Sequence, residues 1–340
     1  MGIGNRSKDR IAIIDGASYS LPYDVFSIDE QKTKAIDFYC SSTKYNENYI
    51  LYLETLGDVK IKKYRVSNAS NKLIGLYNYF IMLLDVYKAR GFYKNINFQW
   101  SVFFPFEVLI IILLKGKVVF TFHNEVPHNS RRKYSFRNKI LSVLCDKISF
   151  ASQTTKDNFI SIYGTQRKDK VLVNRHPLLP LVDDSGGIIL NNYLSSSDKY
   201  KNRLVFWGNV KEYKGVESFL HLEPYVISSF RPIVLGKWDK SLYGLKDDLI
   251  EKGIEVVDEY LDMTELVKYF NRENLFILPY RKATQSGVLY TLKYYNCNII
   301  VSNTGDNAAT MRSEGSEDRI FEHADYEAMN RLIIDNIEVS

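Results

Sequence analysis

Three polar segments follow short apolar runs of the kind that form buried β-strands, and each carries side chains that could do chemistry. In the first, VVFTFHNEVPHNSRRK, His123 and Asn124 come directly after the apolar run and His128 follows them. Ligands of open parallel sheets bind at the carboxyl ends of the strands, so we expect these side chains to line a binding site. A purely structural role for either histidine is the alternative. Because no acidic or cysteine partner stands at ligand spacing, we expect no metal there.

The second segment is RLVFWGNVKEYKGVESFL, which predicts a strand, a turn at Gly208 and a helix that begins near Lys214 and Gly215. A glycine lets the backbone approach a ligand, and the helix N-terminus with Lys211 and Lys214 would attract a diphosphate. An ordinary loop between strand and helix is the alternative. The segment has neither GxGxxG nor a Walker pattern, which disfavours a dinucleotide oxidoreductase and a P-loop NTPase.

The third segment, NLFILPYRKATQSGVLYTLKYYNCNIIVSNTG, predicts a strand, a polar loop, a helix that begins near Gly287 and another strand. The polar loop holds Arg281, Lys282, Thr284, Gln285 and Ser286. The N–H groups at the start of a helix favour an anion such as a nucleotide phosphate. Two such loops in one half of the chain indicate a sugar nucleotide.

The elements that position these segments alternate between short apolar runs and longer amphipathic stretches, which is typical of βαβ units and parallel sheets. Lys72–Lys88 has apolar residues at helical spacing and predicts a helix with a core-facing stripe. The predicted strands of the first half are Ile11–Asp15, Tyr49–Glu54, Asn97–Trp100, Val118–Phe122, Lys147–Ala151 and Lys170–Asn174. A stretch rich in Pro, Asp, Ser, Gly and Asn between Pro177 and Lys201 predicts a linker over 181–200, between a domain at 1–180 and a second at 201–340.

The second half predicts the same alternation of strands and helices. Its predicted strands are Arg203–Phe206, Pro232–Leu235, Glu255–Val257, Leu275–Pro279 and Ile299–Ser302. Its predicted helices are Gly215–Leu222, Tyr243–Lys252, Thr264–Phe270, Ser286–Tyr295 and Tyr326–Ile337. We therefore expect two similar α/β domains in tandem.

Composition and charge narrow the class of protein. The chain has 340 residues, 45% of them hydrophobic and 25% charged, which suits a globular protein of two domains. Three widely spaced cysteines argue against a disulfide framework and favour a reducing compartment.

The apolar run Val102–Leu114 contains Glu107 and falls short of the roughly 20 residues of a spanning helix, so we expect a buried helix. Nothing near Met1 resembles a signal-peptide core, and we expect a cytoplasmic protein.

The two halves of the chain differ in charge. Residues 1–180 hold 27 Lys and Arg against 15 Asp and Glu, whereas residues 181–340 hold 18 against 25, so the halves carry +12 and −7. A basic half suits contact with an anionic surface, either phospholipid headgroups or nucleic acid. The densest basic cluster is Arg131, Arg132, Lys133, Arg137 and Lys139. Its alternative is a solvated helix face.

In order and content these segments resemble the bacterial group 1 (family 4-like) glycosyltransferases of the GT-B type. The shared motifs, over roughly residues 95–305, are HNEVPH, RHP at 175–177, WGNVKEYKGVE, PYRKATQSGV and IIVSNTG. The resemblance implies an α/β GT-B fold, with two Rossmann-like domains whose parallel sheets face a central cleft. It also implies that the C-terminal domain binds a nucleotide sugar and the N-terminal domain binds the acceptor.

The resemblance also assigns roles to residues of this chain. His123, Lys214 and Gln285 would be catalytic: His123 would point at the transferred sugar, Lys214 would neutralise the diphosphate and Gln285 would bond sugar hydroxyls. Donor binding would fall to Gly208, Asn209, Lys211, Tyr260, Arg281, Thr284, Ser286, Gly287 and Val288. Acceptor or membrane contact would fall to Asn124, His128, Arg131, Arg132, Lys133 and Arg137. No cofactor and no metal are expected.

The implied reaction moves a hexose from a nucleotide-diphosphate sugar to a saccharide acceptor linked to polyprenyl diphosphate, at the inner face of the cytoplasmic membrane. It would serve exopolysaccharide, capsule or O-antigen assembly. The chain departs from the pattern, since Gln285 and Lys293 stand where many retaining members have two glutamates. Retention or inversion is therefore open, and His123 is the candidate base for inversion. Competing interpretations are a catalytically silent binding module, for nucleic acid or a partner enzyme, and a GT-B epimerase or phosphorylase.

Overall fold

The computed structural model describes residues 10–17, 21–29, 34–43, 47–123, 131–164, 168–190, 197–283 and 286–338, with the side chains of 21, 29, 131–135, 168, 337 and 338 outside the description. The chain divides into two compact units. The first comprises residues 1–177 and 184–187, and the second comprises 178–183 and 188–340. Within the described ranges, no helix has both the length and the apolar character needed to cross a membrane.

The first unit is a parallel seven-stranded sheet with helices on it. Its strands are β1 Arg10–Asp15, β2 Ile36–Ser41, β3 Val59–Tyr64, β4 Tyr93–Phe98, β5 Val118–Phe122, β6 Lys147–Phe150 and β7 Val171–Val173. Its helices are α1 Leu21–Asp29, α2 Glu47–Glu54, α3 Lys72–Ala89, α4 Phe104–Leu113, α5 Arg131–Leu144 and α6 Gln153–Tyr163. The strand order is β3-β2-β1-β4-β5-β6-β7. Short 3₁₀ turns at Arg90–Phe92 and Lys168–Lys170 lead into β4 and β7.

The second unit has a parallel six-stranded sheet in the order β10-β9-β8-β11-β12-β13. Its strands are β8 Leu204–Trp207, β9 Ile233–Leu235, β10 Glu255–Val257, β11 Leu275–Leu278, β12 Asn298–Ser302 and β13 Ile320–Phe321. Its α-helices are α7 Pro224–Phe230, α8 Tyr243–Glu251, α9 Met263–Leu266, α10 Gly287–Tyr294, α11 Gly305–Ser313 and α12 Tyr326–Glu338. Its 3₁₀ helices are Asp198–Tyr200, Glu212–Lys214, Val216–His221, Lys240–Leu242, Val267–Tyr269 and Glu317–Arg319.

The main core of the first unit lies on one face of its sheet. Alternate residues of β1, β4 and β5, such as Ile14, Phe98 and Phe120, pack there against α3 to α6. The opposite face of β1 and β2 packs against α1 and α2, whose buried residues include Phe26 and Ile50. The prediction of βαβ units on a parallel sheet is confirmed.

Two predictions about local structure were wrong, and two strands were missed. Residues 49–54 form helix α2 and not a strand, because Ile50 and Leu53 bury one helical face although the local sequence also alternates. The helix expected from Gly215 is a 3₁₀ helix, Val216–His221, since Gly215 adopts a left-handed conformation (φ 68°) between two 3₁₀ turns. Strands β2 and β3 were not predicted.

The apolar helix α4 is only half buried, which corrects the expectation of a buried helix. Ile110 and Ile111 face the core, whereas Leu109, Ile112 and Leu113 are about half exposed. Glu107, which interrupts the apolar run, is fully buried and accepts hydrogen bonds from Tyr79 Oη (2.7 Å) and Phe103 N (3.0 Å). Burial raises the pKa of this carboxyl group. The apolar stripe predicted for α3 is also incomplete, because Leu73 and Tyr77 are exposed.

Candidate functional site

The strand order of the second sheet creates a crevice at the carboxyl ends of β8 and β11. These strands are neighbours, and the order of strands reverses between them. In doubly wound sheets the chain leaves such a pair toward opposite faces, and ligands bind where it diverges. Gly208 follows β8, and Pro279 and Tyr280 follow β11. The predicted donor loops therefore meet at the switch point of the sheet.

Gly208 makes the close approach that was expected of it. Its φ is 124°, a conformation that residues with a Cβ rarely adopt. A Cβ at this position would lie 2.8 Å from Lys214 Nζ and 3.2 Å from Val288 Cγ2. Gly208 therefore borders both the ammonium group of Lys214 and the first turn of α10.

Lys214 is a buried ammonium group without a counter-ion among the described residues. Its residue is 8% exposed, no carboxylate of the described ranges perturbs it, and Nζ lies 5.3 Å from the centre of the Tyr280 ring. Burial lowers the pKa of Lys214. A buried charge is costly unless it is paired, so an anionic ligand that entered here would supply the missing partner.

The start of α10 adds neutral donors at the same place. Ser286 is the N-cap residue, and its hydroxyl accepts from Leu289 N (3.4 Å). In the described part of the chain, the N–H groups of Gly287 and Val288 donate to no protein acceptor. The positive end of the helix dipole and these N–H groups favour an anion. Together with Lys214 they form a candidate anion site, which we call the ammonium–amide site (Gly208, Lys214, Ser286, Gly287 and Val288).

The remaining predicted donor residues have varied surroundings. Asn209 and Lys211 are exposed in the loop after β8, and Tyr260 is 70% exposed after β10. The guanidinium group of Arg281 pairs with Glu217 (2.7 Å) and Glu212 (3.4 Å), which raises the pKa of Arg281. Arg281 is thus already neutralised by protein carboxylates, whereas Lys214 is not.

Two of the predicted residues, Thr284 and Gln285, lie outside the described residues. Lys293, which stands where many family members have the second glutamate, pairs with Glu314.

Asn307 was missed by the sequence reasoning. It is fully buried in α11, and neither atom of its side-chain amide has a partner within the described ranges. Asp306 N, next to it, donates to Ala283 O (2.9 Å), so Asn307 adjoins the 281–286 loop.

In the first unit, His123 lies at the carboxyl end of β5 in an aromatic cage. Its ring stacks on Trp100 (4.7 Å between centroids, 13° between planes) and meets the edge of Tyr23 (5.2 Å). His123 Nε2 lies 2.9 Å from Gln99 Oε1. Because an amide oxygen only accepts, Nε2 carries a hydrogen and Nδ1 is the basic atom of the neutral ring. Gln99, which the sequence reasoning missed, follows β4 and orients the histidine.

The other first-unit predictions are less defined. Asn124 and His128 lie outside the described residues. Arg131, Arg132 and Lys133 occupy the first turn of α5, and nothing is described of their side chains. Arg137 is half-buried, with its guanidinium group against the side chain of Asn138 (3.1 Å), and Lys139 is exposed. Among the residues that the structure describes, no three acidic, histidine or cysteine side chains form a group suited to a metal ion.

No protein-family model and no curated protein sequence matches this chain. Solved structures do resemble it over nearly its whole length. A glycosyltransferase from Rickettsia africae superposes with a TM-score of 0.66 at 13% identity, over 98% of this chain and 89% of that one. Anabaena Alr3699/HepE, in complex with UDP and glucose, gives 0.64 at 10% identity, over 98% and 90%. The lipopolysaccharide outer core galactosyltransferase WaaB gives 0.59 at 13% identity, over 96% and 91%.

These superpositions cover both units, and at 10–13% sequence identity they are evidence for the fold. Each unit is an α/β domain on a parallel sheet, with seven strands in the first and six in the second. The chain therefore has the GT-B fold of these transferases, built from two Rossmann-like domains.

Proposed function

We propose that this chain is a glycosyltransferase that moves a hexose from a nucleotide-diphosphate sugar to a saccharide acceptor. The acceptor is a glycan linked to polyprenyl diphosphate, and the product enters a bacterial surface polysaccharide. The observation that carries the proposal is the buried ammonium group of Lys214, which lies beside Gly208 without a protein counter-ion in the described ranges. A sugar nucleotide brings a diphosphate that completes the pair.

The ammonium–amide site suits the departure of a nucleoside diphosphate. Negative charge grows on the diphosphate as its bond to the sugar breaks. Fixed donors that face this charge stabilise the transition state more than the ground state. Lys214 supplies a full charge, and the N–H groups of Gly287 and Val288 supply two dipoles held in place by α10. We propose that this charge makes a resident metal or organic cofactor unnecessary.

His123 would act on the sugar side of the reaction. Its Nε2–H is engaged by Gln99, and we propose that Nδ1 accepts a hydrogen bond from a sugar or acceptor hydroxyl. If the reaction inverts, the same atom could take the proton of the attacking hydroxyl. Retention or inversion would be decided by analysis of the product anomer.

UDP-sugars are the first donors to test, because the Anabaena structure of the same fold contains UDP and glucose. We propose that donor binding by the full chain raises its melting temperature, as any ligand of the native state does. UDP-, GDP- and TDP-sugars and CMP-sialic acid would be compared, with nucleoside monophosphates and NAD as controls. A selective rise with one diphosphate class is expected. No rise with any nucleotide would contradict the proposal and favour a catalytically silent module.

Lys214→Met tests the role of the buried ammonium group, because it keeps the length of the side chain and removes its charge. Loss of a desolvated charge–charge contact costs about 2–5 kcal/mol, so the donor dissociation constant should rise at least about 30-fold. The unliganded protein should become more stable by about 1 kcal/mol or more, because a buried unpaired charge disappears. Lys240→Met, at an exposed lysine of the same unit, is the matched control. Unchanged donor affinity in Lys214→Met would refute the assigned role.

We further propose that the first unit attaches to the inner face of the cytoplasmic membrane. Helices α3, α4 and α5 pack side by side on one face of the sheet. Leu109 and Ile112 on α4 and Phe136 and Val143 on α5 are exposed, and so is the basic residue Lys139 of α5. We call this surface the α4–α5 face. Basic side chains beside exposed apolar ones suit an anionic lipid surface, where both contribute to binding.

A further inference from the structure

A hollow lined by basic side chains lies at the amino-terminal ends of the strands of the first unit. Its volume is about 330 Å³, within the usual range for small-molecule sites. The lining comes from β1 to β4, from the end of α3 and from the 3₁₀ turn that follows it. We call it the basic hollow (Arg10, Asp37, Lys60, Lys62, Ala89, Phe92 and Tyr93). His123 lies at the opposite, carboxyl edge of the same sheet, so the basic hollow is separate from the sugar side of the proposed reaction.

Strand register brings the polar residues of the basic hollow together. Asp37 of β2 pairs with Lys60 of β3, and Arg10 of β1 pairs with Tyr93 of β4. Alternate residues of a strand point to one face, so Lys62 lies on the same side of β3 as Lys60. Helix α3 packs on this face of the sheet, and its last residue lines the hollow. The basic hollow therefore lies where the helical cover of the sheet ends.

The basic hollow holds more positive charge than its own carboxylate neutralises. Asp37 is buried, pairs with Arg10 and accepts a hydrogen bond from Tyr93 Oη (2.7 Å). Lys62 Nζ lies 3.6 Å from the same carboxylate. Lys60 is exposed and has no hydrogen bond or ion pair within the described ranges. Three cationic side chains against one carboxylate leave an excess of two positive charges.

The lysines of β3 differ in their surroundings. Because β3 is the edge strand of its sheet, lysines on it would in any case prevent pairing with another chain. Lys63, on the opposite face of β3, pairs with Glu54 (2.6 Å) and fits that role. Lys60 and Lys62 instead line a hollow together with a third cation. Phe92, which is 59% exposed, lines the same hollow and places an apolar ring beside the cations.

We infer that the basic hollow binds a phosphomonoester, at a site separate from the ammonium–amide site. A phosphomonoester has a charge of about −1.5 to −2 at pH 7, which matches the excess positive charge of the lining. Its terminal oxygens accept charge-assisted hydrogen bonds from lysine and arginine. Phe92 provides an apolar wall for the organic part of the ester. The inference does not depend on the transfer reaction.

The test is titration calorimetry on the full chain without nucleotide. The probes are phenyl phosphate, glucose 6-phosphate and a short-chain phosphatidic acid below its micelle concentration, with inorganic phosphate and glucose for comparison. Saturable binding of at least one phosphomonoester, tighter than that of glucose, is expected. The tightest probe distinguishes a soluble ester from a lipid headgroup as the source of the phosphate. Binding of inorganic phosphate alone, or no binding of any phosphomonoester, would overturn the inference.

A matched pair of substitutions locates the bound phosphate. Lys60→Gln removes an exposed cation of the basic hollow and should weaken phosphomonoester binding at least about tenfold, because a hydrogen bond to a charged group is lost. Lys63→Gln makes the same change of charge on the opposite face of β3 and should not alter binding. Both lysines are exposed, so neither variant should lose its fold. Equal affinity in Lys60→Gln and the wild type would overturn the inference.

A third variant separates the basic hollow from the ammonium–amide site. Lys214→Met should bind the phosphomonoester as tightly as the wild type, because Lys214 belongs to the second unit. Loss of phosphomonoester binding in Lys214→Met would place the phosphate at the ammonium–amide site and overturn the inference. Failure of Lys60→Gln to bind a phosphomonoester, with donor binding intact, would support the basic hollow without bearing on the proposed transferase.

Discussion

At the scale of single residues, two groups carry the proposed chemistry, and each depends on an unusual environment. Lys214 is charged and buried beside a glycine with a positive φ, an arrangement that costs stability and gains affinity for an anion. His123 is held between Trp100 and Tyr23 and oriented by Gln99. Neither environment can be inferred from residue type alone, because each depends on side chains from distant parts of the chain.

His176, at the end of the first unit, makes the stability of that unit depend on pH. Burial lowers the pKa of His176 from 6.5 to about 4. The unfolded chain therefore binds a proton first as the pH falls from about 6.5 to about 4, and the folded state loses stability over that window. At about 1.4 kcal/mol per unit, the loss is at most about 3 kcal/mol. His176→Phe, which keeps a ring against Tyr23, should lose less stability over this window.

Denaturant unfolding of the first unit at pH 7, 5.5 and 4.5 measures this difference. His323→Gln, at an exposed histidine of the second unit, serves as the control and should follow the wild type. If His176→Phe and the wild type lost equal stability between pH 7 and 4.5, His176 would not be the group responsible.

At the scale of elements, helix α10 has two roles that a pair of substitutions can separate. Ser286 caps the helix, and the N–H groups beyond it face the proposed anion. Ser286→Ala removes the cap and lowers the free energy of unfolding by about 1 kcal/mol. It leaves unchanged the positive electrostatic potential at the start of α10, which would attract the diphosphate of the donor. Ser286→Asp keeps a capping acceptor and adds a negative charge that repels a diphosphate. We expect the Ala variant to melt a few degrees lower and to bind donor almost normally.

The Asp variant should show the reverse, with a melting temperature close to the wild type and donor binding reduced at least tenfold. Thermal melting and donor titration of both variants measure the two properties separately. Equal donor affinity in the wild type and Ser286→Asp would exclude the start of α10 as a diphosphate site.

Helix α4 shows how one buried polar residue can hold an element in place. Glu107 accepts hydrogen bonds from Val102 N (2.5 Å) and Phe103 N (3.0 Å), just before the helix, and from Tyr79 of α3. The carboxylate thus ties the start of α4 to α3. With the helix fixed in this way, its apolar outer side remains at the surface.

At the scale of the whole molecule, the charge difference between the halves predicts a salt-dependent association of the first unit with anionic membranes. Each basic residue near an anionic surface contributes about 1 kcal/mol, an effect that salt screens. The full chain should bind vesicles of phosphatidylglycerol and phosphatidylcholine at low salt and release from them at high salt. Lys139→Glu should weaken binding at least about fivefold.

The α4–α5 face adds an apolar contribution that its own pair of variants can isolate. Ile112 is 53% exposed on α4, and Ile250 is 51% exposed on α8 of the second unit, so the two are matched in exposure. Ile112→Ser should weaken vesicle binding severalfold, because it removes apolar area that would enter the lipid interface. Ile250→Ser should not change binding. Sedimentation of vesicles measures both, and binding that is independent of salt and of Ile112 would contradict membrane attachment by this face.

The sequence by itself determined the alternation of strands and helices and the positions of chemically able residues at the ends of strands. Periodicity and breaker residues are local, so Val118–Phe122, Glu255–Val257 and the start of α10 could be predicted within a residue. The same local signal misassigned residues 49–54, because a short apolar run fits either period. The GT-B resemblance likewise came from motifs at strand ends.

The tertiary structure alone decided which strand ends are neighbours and which side chains are buried. Strand order arises from the packing of helices on the sheets, so only the fold places Gly208 of β8 beside the loop after β11. Burial of Lys214, the half-exposed face of α4 and the grouping of three cations in the basic hollow depend on contacts between residues far apart in sequence. Local patterns contain no information about such contacts, which is why they predicted the elements but not the environment of each site.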